Sequence, residues 1–386
     1  MMTVRIGIQR LCSDPSLLDG PVGLLTNHTG VLADLRPSAL AAVDAGVRLT
    51  ALFGPEHGLT GTAQAGESEA ADRDPVTGLP VFDTYKHKGA ELDAMLMASR
   101  IKTLAVDLQD VGTRFYTYVW SMYDLMAAAA RTGITLAVLD RPNPLGGLRA
   151  EGPIRQPGFS SFVGRAAIPI RHGLTYGELA RWLNTDAIPA DAGRPADLRV
   201  IEMTGWDRRM LAADTGQPWV FPSPNMPTAD TALVYPGTGL FEGTNLSEGR
   251  GTTRPFEIIG APYVDNRLAP ALNDRELPGV RFRALSYVPT FGKFAGELVH
   301  GVQLHLTDPA QLRPVRTAIA MLTEIRQRYP ADFDWRPAAS GRRFMIDLLW
   351  GSSALRESAP TDEVLGAIDS PLSWVDPGIL SYPYPA

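Results

Sequence analysis

The sequence predicts an α/β fold: a Rossmann-like, doubly wound and mostly parallel sheet, followed by a second, smaller α/β (α+β) domain. In about the first 200 residues, short unbroken apolar runs alternate with helical patterns, as expected for parallel strands covered by helices on both faces. A proline-dense segment, residues 219–228, interrupts this alternation. Because prolines disfavour helix and favour extended chain, we place the domain boundary there, giving domains 1–228 and 229–386.

The elements of the first domain are predicted from their periodicity. The predicted strands are residues 4–8, 22–26, 48–53, 103–108, 135–139 and 198–203. The predicted helices between them are residues 37–45, 90–98, 118–132 and 176–184. Strands that alternate with helices in this way predict a sheet with helices on both of its faces.

The second domain is predicted from fewer signals. Strands are expected at 280–288 and 301–308, and helices at 310–329 and 343–349. Residues 237–254 are rich in glycine and arginine and are predicted to form a loop that is too long for a simple turn. Loops of that length are usually functional or disordered, and the asparagine and aromatic residues nearby favour a functional loop.

Composition excludes several classes of protein. The 386 residues carry a net charge of −6, so no basic surface for nucleic acid or anionic lipid is expected. The single cysteine, Cys12, rules out an intrachain disulfide. The sequence lacks an apolar run of about 18 residues, the minimum for a membrane span. Because it also shows no signal peptide, we expect a cytoplasmic location, or a periplasmic or secreted one if a leader was removed.

Four predicted strands lead into polar loops that contain histidine, glutamate or arginine as well as turn-forming residues. These loops are residues 27–30, 54–58, 109–114 and 140–144. In open α/β sheets, ligands bind outside the carboxyl ends of the strands, so the four loops are predicted to converge on one site. Asparagine, aspartate, glycine and proline are also ordinary turn residues, so each loop taken alone is more often a turn than a site.

Glu56 is the leading candidate for an acid catalyst. It lies between Pro55 and His57, in a loop bounded by Gly54 and Gly58. Proline stiffens such a loop, and glycine lets backbone approach closely. A carboxyl group in a partly dry cleft has a raised pKa, which suits a general acid near neutral pH. The alternative is a structural carboxylate that satisfies backbone donors at a helix N-terminus.

Other polar residues complete the predicted site. His57 is expected to orient Glu56 or to bind substrate, with a core histidine as the alternative. Asp110 is expected to be more exposed than Asp107 and to serve as a second catalytic carboxylate, with Glu242 and Glu248 as alternatives. Substrate contacts are predicted for Asn27, His28, Arg114, Tyr116, Arg141, Asn143, Asn225, Glu242, Asn245, Glu248, Arg250 and Arg254.

Motifs for other chemistries are missing from the sequence. Metal-ligand spacings such as HExxH and CxxC are not found, and neither are the nucleotide motifs GxGxxG and GxxxxGK[ST], so no metal and no cofactor is expected. A serine esterase or amidase is disfavoured because there is no GxSxG. Thr175 and Glu178 match a capping box, which assigns Glu178 to a helix start. Asp107, at the end of a strand, is expected to anchor the next loop.

Seven motifs occur in order along the chain: TNHTG, FGPEHGL, DLQDVGTRFYTY, LDRPNPLGG, RHGLTYGELA, PSPNMPT and EGTNLSEGRGTTRPFE. Together they resemble the family of exo-acting β-N-acetylmuramidases, formerly a domain of unknown function. The resemblance extends from the first strand to about Pro262, and more loosely beyond it. It implies a glycoside hydrolase of cell-wall recycling with a Rossmann-like domain, a smaller α/β domain and an active site between them. The family's catalytic glutamate falls on Glu56.

The resemblance also implies a substrate: a peptidoglycan oligosaccharide that ends in N-acetylmuramic acid, from which the enzyme releases that sugar at the non-reducing end. The lactyl carboxylate of this sugar needs a cationic partner, and Arg141, Arg250 and Arg254 are the candidates. A retaining, an inverting and a substrate-assisted mechanism all stay open. The alternative function is a non-catalytic protein that binds peptidoglycan or amino sugars.

Overall fold

The computed structural model of the chain describes residues 3–62, 72–339, 341, 343–357, 369–370 and 372–384. Its strands are β1 (Val22–Thr26), β2 (Leu49–Gly54), β3 (Val81–Asp83), β4 (Thr103–Asp107), β5 (Thr135–Leu139), β6 (Ala150–Glu151), β7 (Leu198–Ile201), β8 (Ile258–Ala261), β9 (Val280–Tyr287), β10 (Val299–Leu306) and β11 (Asp369–Ser370). Its helices are α1 (Gly7–Ser13), α2 (Ser38–Asp44), α3 (Ala90–Ser99), α4 (Tyr118–Thr132), α5 (Tyr176–Thr185), α6 (Ala187–Ala192), α7 (Ala229–Thr238), α8 (Leu268–Asn273), α9 (Pro314–Arg328), α10 (Met345–Trp350) and α11 (Ala354–Glu357).

The main sheet of the described chain has the order β3-β2-β1-β4-β5-β7, and every neighbouring pair in it is parallel. The start of this order, 3-2-1-4-5, is that of a Rossmann fold, so the predicted fold class is confirmed. The carboxyl ends of the strands therefore lie on one rim, and the loops after β1, β2, β4 and β5 meet there as predicted. Cross-loop hydrogen bonds connect them, for example from the Gln109 side chain to the Pro142 carbonyl oxygen (3.0 Å).

A smaller antiparallel sheet, in the order β8-β10-β9, forms the second α/β unit. Helix α8 packs on β9 and on α9, and α9 packs against α7. The two units share one continuous hydrophobic core. Tyr235 of α7 connects them, because its ring contacts Phe115 of the first unit (5.2 Å between ring centroids) and Phe256 of the second (4.6 Å).

The prediction of a strand at residues 4–8 is wrong, because helix α1 begins at Gly7. The buried side chains Ile8 and Leu11 are three residues apart, a spacing that places both on one helix face. The backbone N–H of Gly7 donates to the carbonyl oxygen of Asp140 (2.9 Å). A Cβ at Gly7 would lie 2.4 Å from the Asp140 backbone nitrogen, so this close approach requires glycine.

The predicted loop at residues 237–254 is helical in its first part. Helix α7 continues to Thr238, and a 3-10 turn covers Gly239–Gly243. Because Pro236 lies inside α7, residues 229–238 were not recognised as a helix from the sequence. In the part of the chain that the structure describes, no helix is both long and apolar enough to cross a bilayer.

Candidate active site

Glu56 follows β2 at the rim of the sheet and is buried, with 7 % of its surface exposed. The Tyr85 hydroxyl donates to its Oε1 atom (3.2 Å), and the Thr117 hydroxyl donates to Oε2. Tyr85 follows β3, and Thr117 is the N-cap residue of α4. Glu56 thus contacts the N-cap side chain of α4 and also lines a cleft.

The turn that carries Glu56 is strained. His57 has a φ angle of +72°, in the left-handed region that residues other than glycine rarely occupy. The Gly58 N–H donates to the Pro55 carbonyl oxygen (3.0 Å), which closes the turn around Glu56. Such strain persists only where the surroundings impose it, and it is common at active sites. His57 is itself buried, so it forms part of the support for Glu56.

A cleft of about 380 Å³ opens beside Glu56. One side is the loop after β3, residues 84–88, and a second is the face of α4 that carries Thr117, Trp120 and Asp124. Phe162 and Arg165 contribute a third side. The volume lies in the lower part of the range of roughly 300–1,000 Å³ that is typical of small-ligand pockets.

Charges in this cleft are mainly positive. Asp124 forms an ion pair with Arg165, with 2.6 Å between Oδ1 and Nη1. Burial raises the pKa of Asp124 to about 6, although the charges of Arg165 and Lys88 act in the opposite direction. Lys86 and Lys88 are exposed and line the cleft as well. The cleft is therefore suited to a ligand that carries negative charge.

Three buried tyrosines lie behind Glu56, between the two units. The ring of Tyr116 packs edge-on against those of Tyr118 (5.1 Å) and Tyr235 (6.1 Å). Burial raises the pKa of Tyr235, and the negative charges of Glu56 and Asp110 add to the rise. Burial also raises the pKa of Tyr118, and the negative charges of Glu56 and Asp110 again add to the rise. The structure thus brings Glu56, Asp110 and Tyr116 into one electrostatic neighbourhood.

Asp110 is buried, with 6 % exposed, and is only slightly more exposed than Asp107, which is fully buried. Its Oδ2 atom accepts a hydrogen bond from the Gly112 N–H (2.7 Å), which folds the loop over the carboxyl group. The Nε2 atom of His172 lies 3.4 Å from the same oxygen. The Oδ1 atom has no hydrogen-bond partner among the described residues.

Three amide and imidazole side chains of the rim hold loops together. Asn27 donates to the hydroxyl of Tyr118 (2.7 Å), the residue that follows Thr117. His28 is hydrogen-bonded through Nε2 to the Phe221 carbonyl oxygen (2.7 Å). Asn143 donates to the carbonyl oxygen of Leu174 (2.9 Å). Asn27 and Asn143 are buried and link neighbouring segments of the rim.

Two of the arginines predicted to contact substrate lie inside the protein instead of in the cleft. Arg141 makes a bidentate ion pair with Asp107, at 2.6 and 2.9 Å, so Asp107 anchors the next loop as predicted. Arg114 is fully buried, and burial lowers its pKa to about 9, with the charge of Arg155 adding to the shift. Its guanidinium donates to the carbonyl oxygens of Pro153, Ile168 and Leu349.

Arg250 belongs to a group of alternating charges that we call the Arg250 cluster: Arg250, Glu242, Glu248 and Lys293. Arg250 pairs with Glu242 (3.1 Å from Nε) and with Glu248 (3.3 Å), and Lys293 pairs with Glu248 (2.9 Å). Although burial lowers the pKa of Arg250, the two carboxylates raise it by more. The guanidinium also lies over the Phe256 ring, 5.0 Å from its centroid.

The remaining predicted contacts are placed as follows. Arg254 is half exposed and pairs with Glu257 (3.1 Å). Asn245 donates to the Asp332 carbonyl oxygen (2.7 Å) and so joins two segments of the second unit. Asn225 is buried in the proline-rich segment.

Tyr85, Thr117, Lys88 and Arg165 are site residues that the sequence interpretation missed. The signal for Tyr85 and Lys88 was their position after a strand, but β3 has only three residues and shows no recognisable pattern. Thr117 directly precedes a helix that was predicted correctly. A potential metal site, with three or more histidine, cysteine or acidic side chains together, is not found in the described part of the chain.

A buried carboxyl group at the rim of a Rossmann-like sheet, beside a cleft with the volume of a small-ligand pocket, is typical of an α/β enzyme. The chain belongs to the exo-β-N-acetylmuramidase NamZ family: residues 22–230 match the family's N-terminal domain and residues 233–372 its C-terminal domain. It is thus a glycoside hydrolase, and the resemblance seen in the sequence is confirmed. The alternative of a non-catalytic binding protein is set aside.

Individual relatives agree with this assignment. The chain is 46 % identical to the peptidoglycan β-N-acetylmuramidase NamZ of Bacillus subtilis (strain 168), over 92 % of this chain and 83 % of that protein. Two crystal structures of DUF1343 family proteins from Bacteroides fragilis NCTC 9343 share the fold. One has a TM-score of 0.84, with 33 % identity over 95 % of both chains. The other has a TM-score of 0.70, with 29 % identity over 94 % of this chain and 93 % of that one.

Proposed function

We propose that this enzyme releases N-acetylmuramic acid from the non-reducing end of peptidoglycan fragments, with Glu56 as the general acid. The observation that carries the proposal is the Glu56 carboxyl group, which two hydroxyl donors hold at the wall of a cleft with excess positive charge. The volume of the cleft suits one terminal sugar and its substituents. The relative from Bacillus subtilis is named for activity on peptidoglycan.

In the proposed reaction, protonated Glu56 donates its proton to the glycosidic oxygen as the bond from that oxygen to the anomeric carbon breaks. The leaving sugar departs as an alcohol, and positive charge develops on the ring of the muramic acid. Tyr85 and Thr117 fix the direction of the Glu56 carboxyl group, which keeps the proton within reach of the oxygen. Water completes the hydrolysis at the anomeric carbon and gives up a proton to a carboxylate.

Asp110 is the second group that we propose. Its Oδ1 atom lacks a partner among the described residues, whereas Glu242 and Glu248 are engaged in ion pairs. NMR of the first-formed product gives its anomeric configuration. Inversion means that Asp110 activates water directly, and retention means that an intermediate forms on the enzyme or on the substrate's acetamido group. If the intermediate forms on the acetamido group, Asp110 positions the acetamido group.

The test of Glu56 is the Glu56→Gln variant with a disaccharide that has muramic acid at its non-reducing end. We expect kcat to fall by about two to four orders of magnitude, because a positioned general acid contributes about that much. Substrate binding, followed by calorimetry, is expected to survive. Glu276→Gln is the matched control, since Glu276 is an exposed residue outside the cleft. Near-normal release of monosaccharide by Glu56→Gln would remove the assignment.

A further inference from the structure

We propose that Arg165, together with Lys88, binds the lactyl carboxylate of the terminal muramic acid and so determines the preference of the enzyme for that sugar. This inference rests on the proposed function, and it concerns the substrate end of the same cleft. N-Acetylmuramic acid differs from N-acetylglucosamine only by the lactyl group, so a site that selects it must recognise the carboxylate. Planar guanidinium groups bind carboxylates in a bidentate manner.

The arginines proposed from the sequence are engaged elsewhere. Arg141 is held by Asp107 inside the rim, and Arg254 pairs with Glu257. Arg250 pairs with two carboxylates, so an incoming carboxylate would meet negative charge there. An anionic substrate therefore needs a different cation.

Arg165 has the required position and spare donors. It lines the same cleft as Glu56, and its side chain is partly exposed. Its ion pair with Asp124 uses Nη1, and its Nε atom is buried, so the donors available to a ligand are those at the Nη end of the guanidinium. A guanidinium has five N–H donors, so a second carboxylate can bind beside Asp124.

The overall charge of the cleft favours an anion. Among the described residues, three cations line it, Lys86, Lys88 and Arg165, and two carboxyl groups, Asp124 and Glu56. In a narrow cleft with apolar walls, such an excess of positive charge attracts and orients an anionic ligand.

The spacing also fits one sugar. Thr117, which contacts Glu56, and Asp124, which contacts Arg165, are seven residues apart on α4. At a rise of 1.5 Å per residue this separation is about 10 Å along the helix axis. A single sugar with its lactyl arm spans that distance, with one hydrogen bond at each end. Phe162, whose side chain is exposed at the cleft, offers a flat apolar surface for the sugar ring.

The experiment compares two substrates: the muramic-acid disaccharide, and the same disaccharide with its lactyl carboxylate converted to the neutral methyl amide. For the wild type, kcat/KM is expected to favour the acid. In Arg165→Gln and in Lys88→Gln, kcat/KM for the acid is expected to fall by about 10- to 100-fold through a higher KM, as on loss of one partner of a charge pair. Activity on the amide is expected to stay near the wild-type value.

Two further variants keep the test interpretable. Arg165→Gln leaves Asp124 partly buried without its partner, so Arg165→Gln/Asp124→Asn removes the pair as a unit and should show the same loss of preference. Arg199→Gln is the matched control, because Arg199 pairs with Asp19 (3.1 Å) and neither residue lines the cleft. This control is expected to keep the wild-type preference for the acid.

The possible results separate this inference from the proposed function. If wild type prefers the acid and the cleft variants keep that preference, the carboxylate binds elsewhere and the inference is wrong, while the function stands. If wild type cleaves acid and amide equally well, the carboxylate is not recognised, and the inference is again wrong. If wild type releases no muramic acid from either substrate, the proposed function itself fails.

Discussion

The cleft beside Glu56 and the Arg250 cluster both contain arginine, lysine and acidic side chains, but these charges are paired differently in the two regions. In the cluster, Arg250 and Lys293 face two carboxylates, and every member has an opposite charge within hydrogen-bond or ion-pair distance. In the cleft, the described lining has three cations, two of them exposed lysines, and two carboxyl groups, Asp124 and Glu56. The cluster therefore works as a structural network, whereas the cleft has charge available for a ligand.

This difference shows why residue type alone does not identify a binding arginine. Arg250 lies in a long glycine-broken stretch and has the features of a functional residue in the sequence. Its pairing with Glu242 depends on the local turn, and Glu248 is shared with Lys293, which is 45 residues further along the chain. Only the folded arrangement distinguishes a cation that is neutralised by its neighbours from one that can bind substrate.

The largest effect on stability is expected at the Arg250 cluster. Replacing Arg250 by Met leaves the partly buried Glu242 without its partner and leaves Glu248 paired with Lys293 alone. Breaking a buried ion pair in this way lowers the free energy of unfolding by about 3 kcal/mol. Urea unfolding measures the change, and activity per folded molecule is expected to persist because Arg250 does not line the cleft.

A charge-balanced variant tests the reason for that loss. Glu242→Gln/Arg250→Met removes one carboxylate together with its cation and keeps the Glu248–Lys293 pair, so it should recover part of the lost stability. Arg165→Met, in the cleft, should reduce the preference for the acid substrate, which Arg250→Met should leave unchanged. If both single variants change stability equally and neither changes substrate preference, the distinction between the two regions is wrong.

Much of the fold was predictable because its strands are unbroken apolar runs. The bounds of β1 and β5 match the predictions, and α4 matches as well. Strand β3 was missed because three residues do not establish a period. Helix α7 was missed because it contains Pro236, which is usually a sign against helix.

The site was predictable only in part. Glu56 could be selected as a candidate because it follows a strand of a predicted parallel sheet. In such a sheet the loops after the strands meet at one rim, where ligands bind. Its hydroxyl donors come from Tyr85 and Thr117, which are 29 and 61 residues further along the chain, and no local pattern encodes such contacts. The burial of Asp110 has the same origin, since it depends on how its loop folds back over the carboxyl group.

The second-largest effect is expected in the pH dependence of stability, and it comes from Asp124 in the cleft. Burial raises the pKa of Asp124 from 3.8 to about 6 against the influence of Arg165 and Lys88. Because the folded state holds this proton more tightly than the unfolded state, the contribution to stability is complete below pH 3.8 and is lost as the pH rises through about 6. The loss is on the order of 2–3 kcal/mol.

Asp124→Asn is the variant that isolates this contribution, because asparagine does not titrate. The free energy of unfolding of wild type relative to Asp124→Asn should fall between pH 4 and pH 7, measured by urea unfolding at each pH. Buried Asp140, whose pKa burial also raises to about 6, titrates equally in both proteins and cancels in the difference. A difference that is flat with pH would mean that Asp124 is not protonated in the folded protein.

The smallest effect is expected for Arg254, the one predicted anion-binding arginine that is largely exposed. Its pair with Glu257 is solvent-accessible on the arginine side, and pairs of this kind contribute about 0–1 kcal/mol. Arg254→Gln should therefore change the urea midpoint little and should leave kcat/KM for the acid substrate unchanged. A large loss specific to the acid substrate would place the carboxylate contact near the Arg250 cluster and would reverse the roles inferred for the two regions.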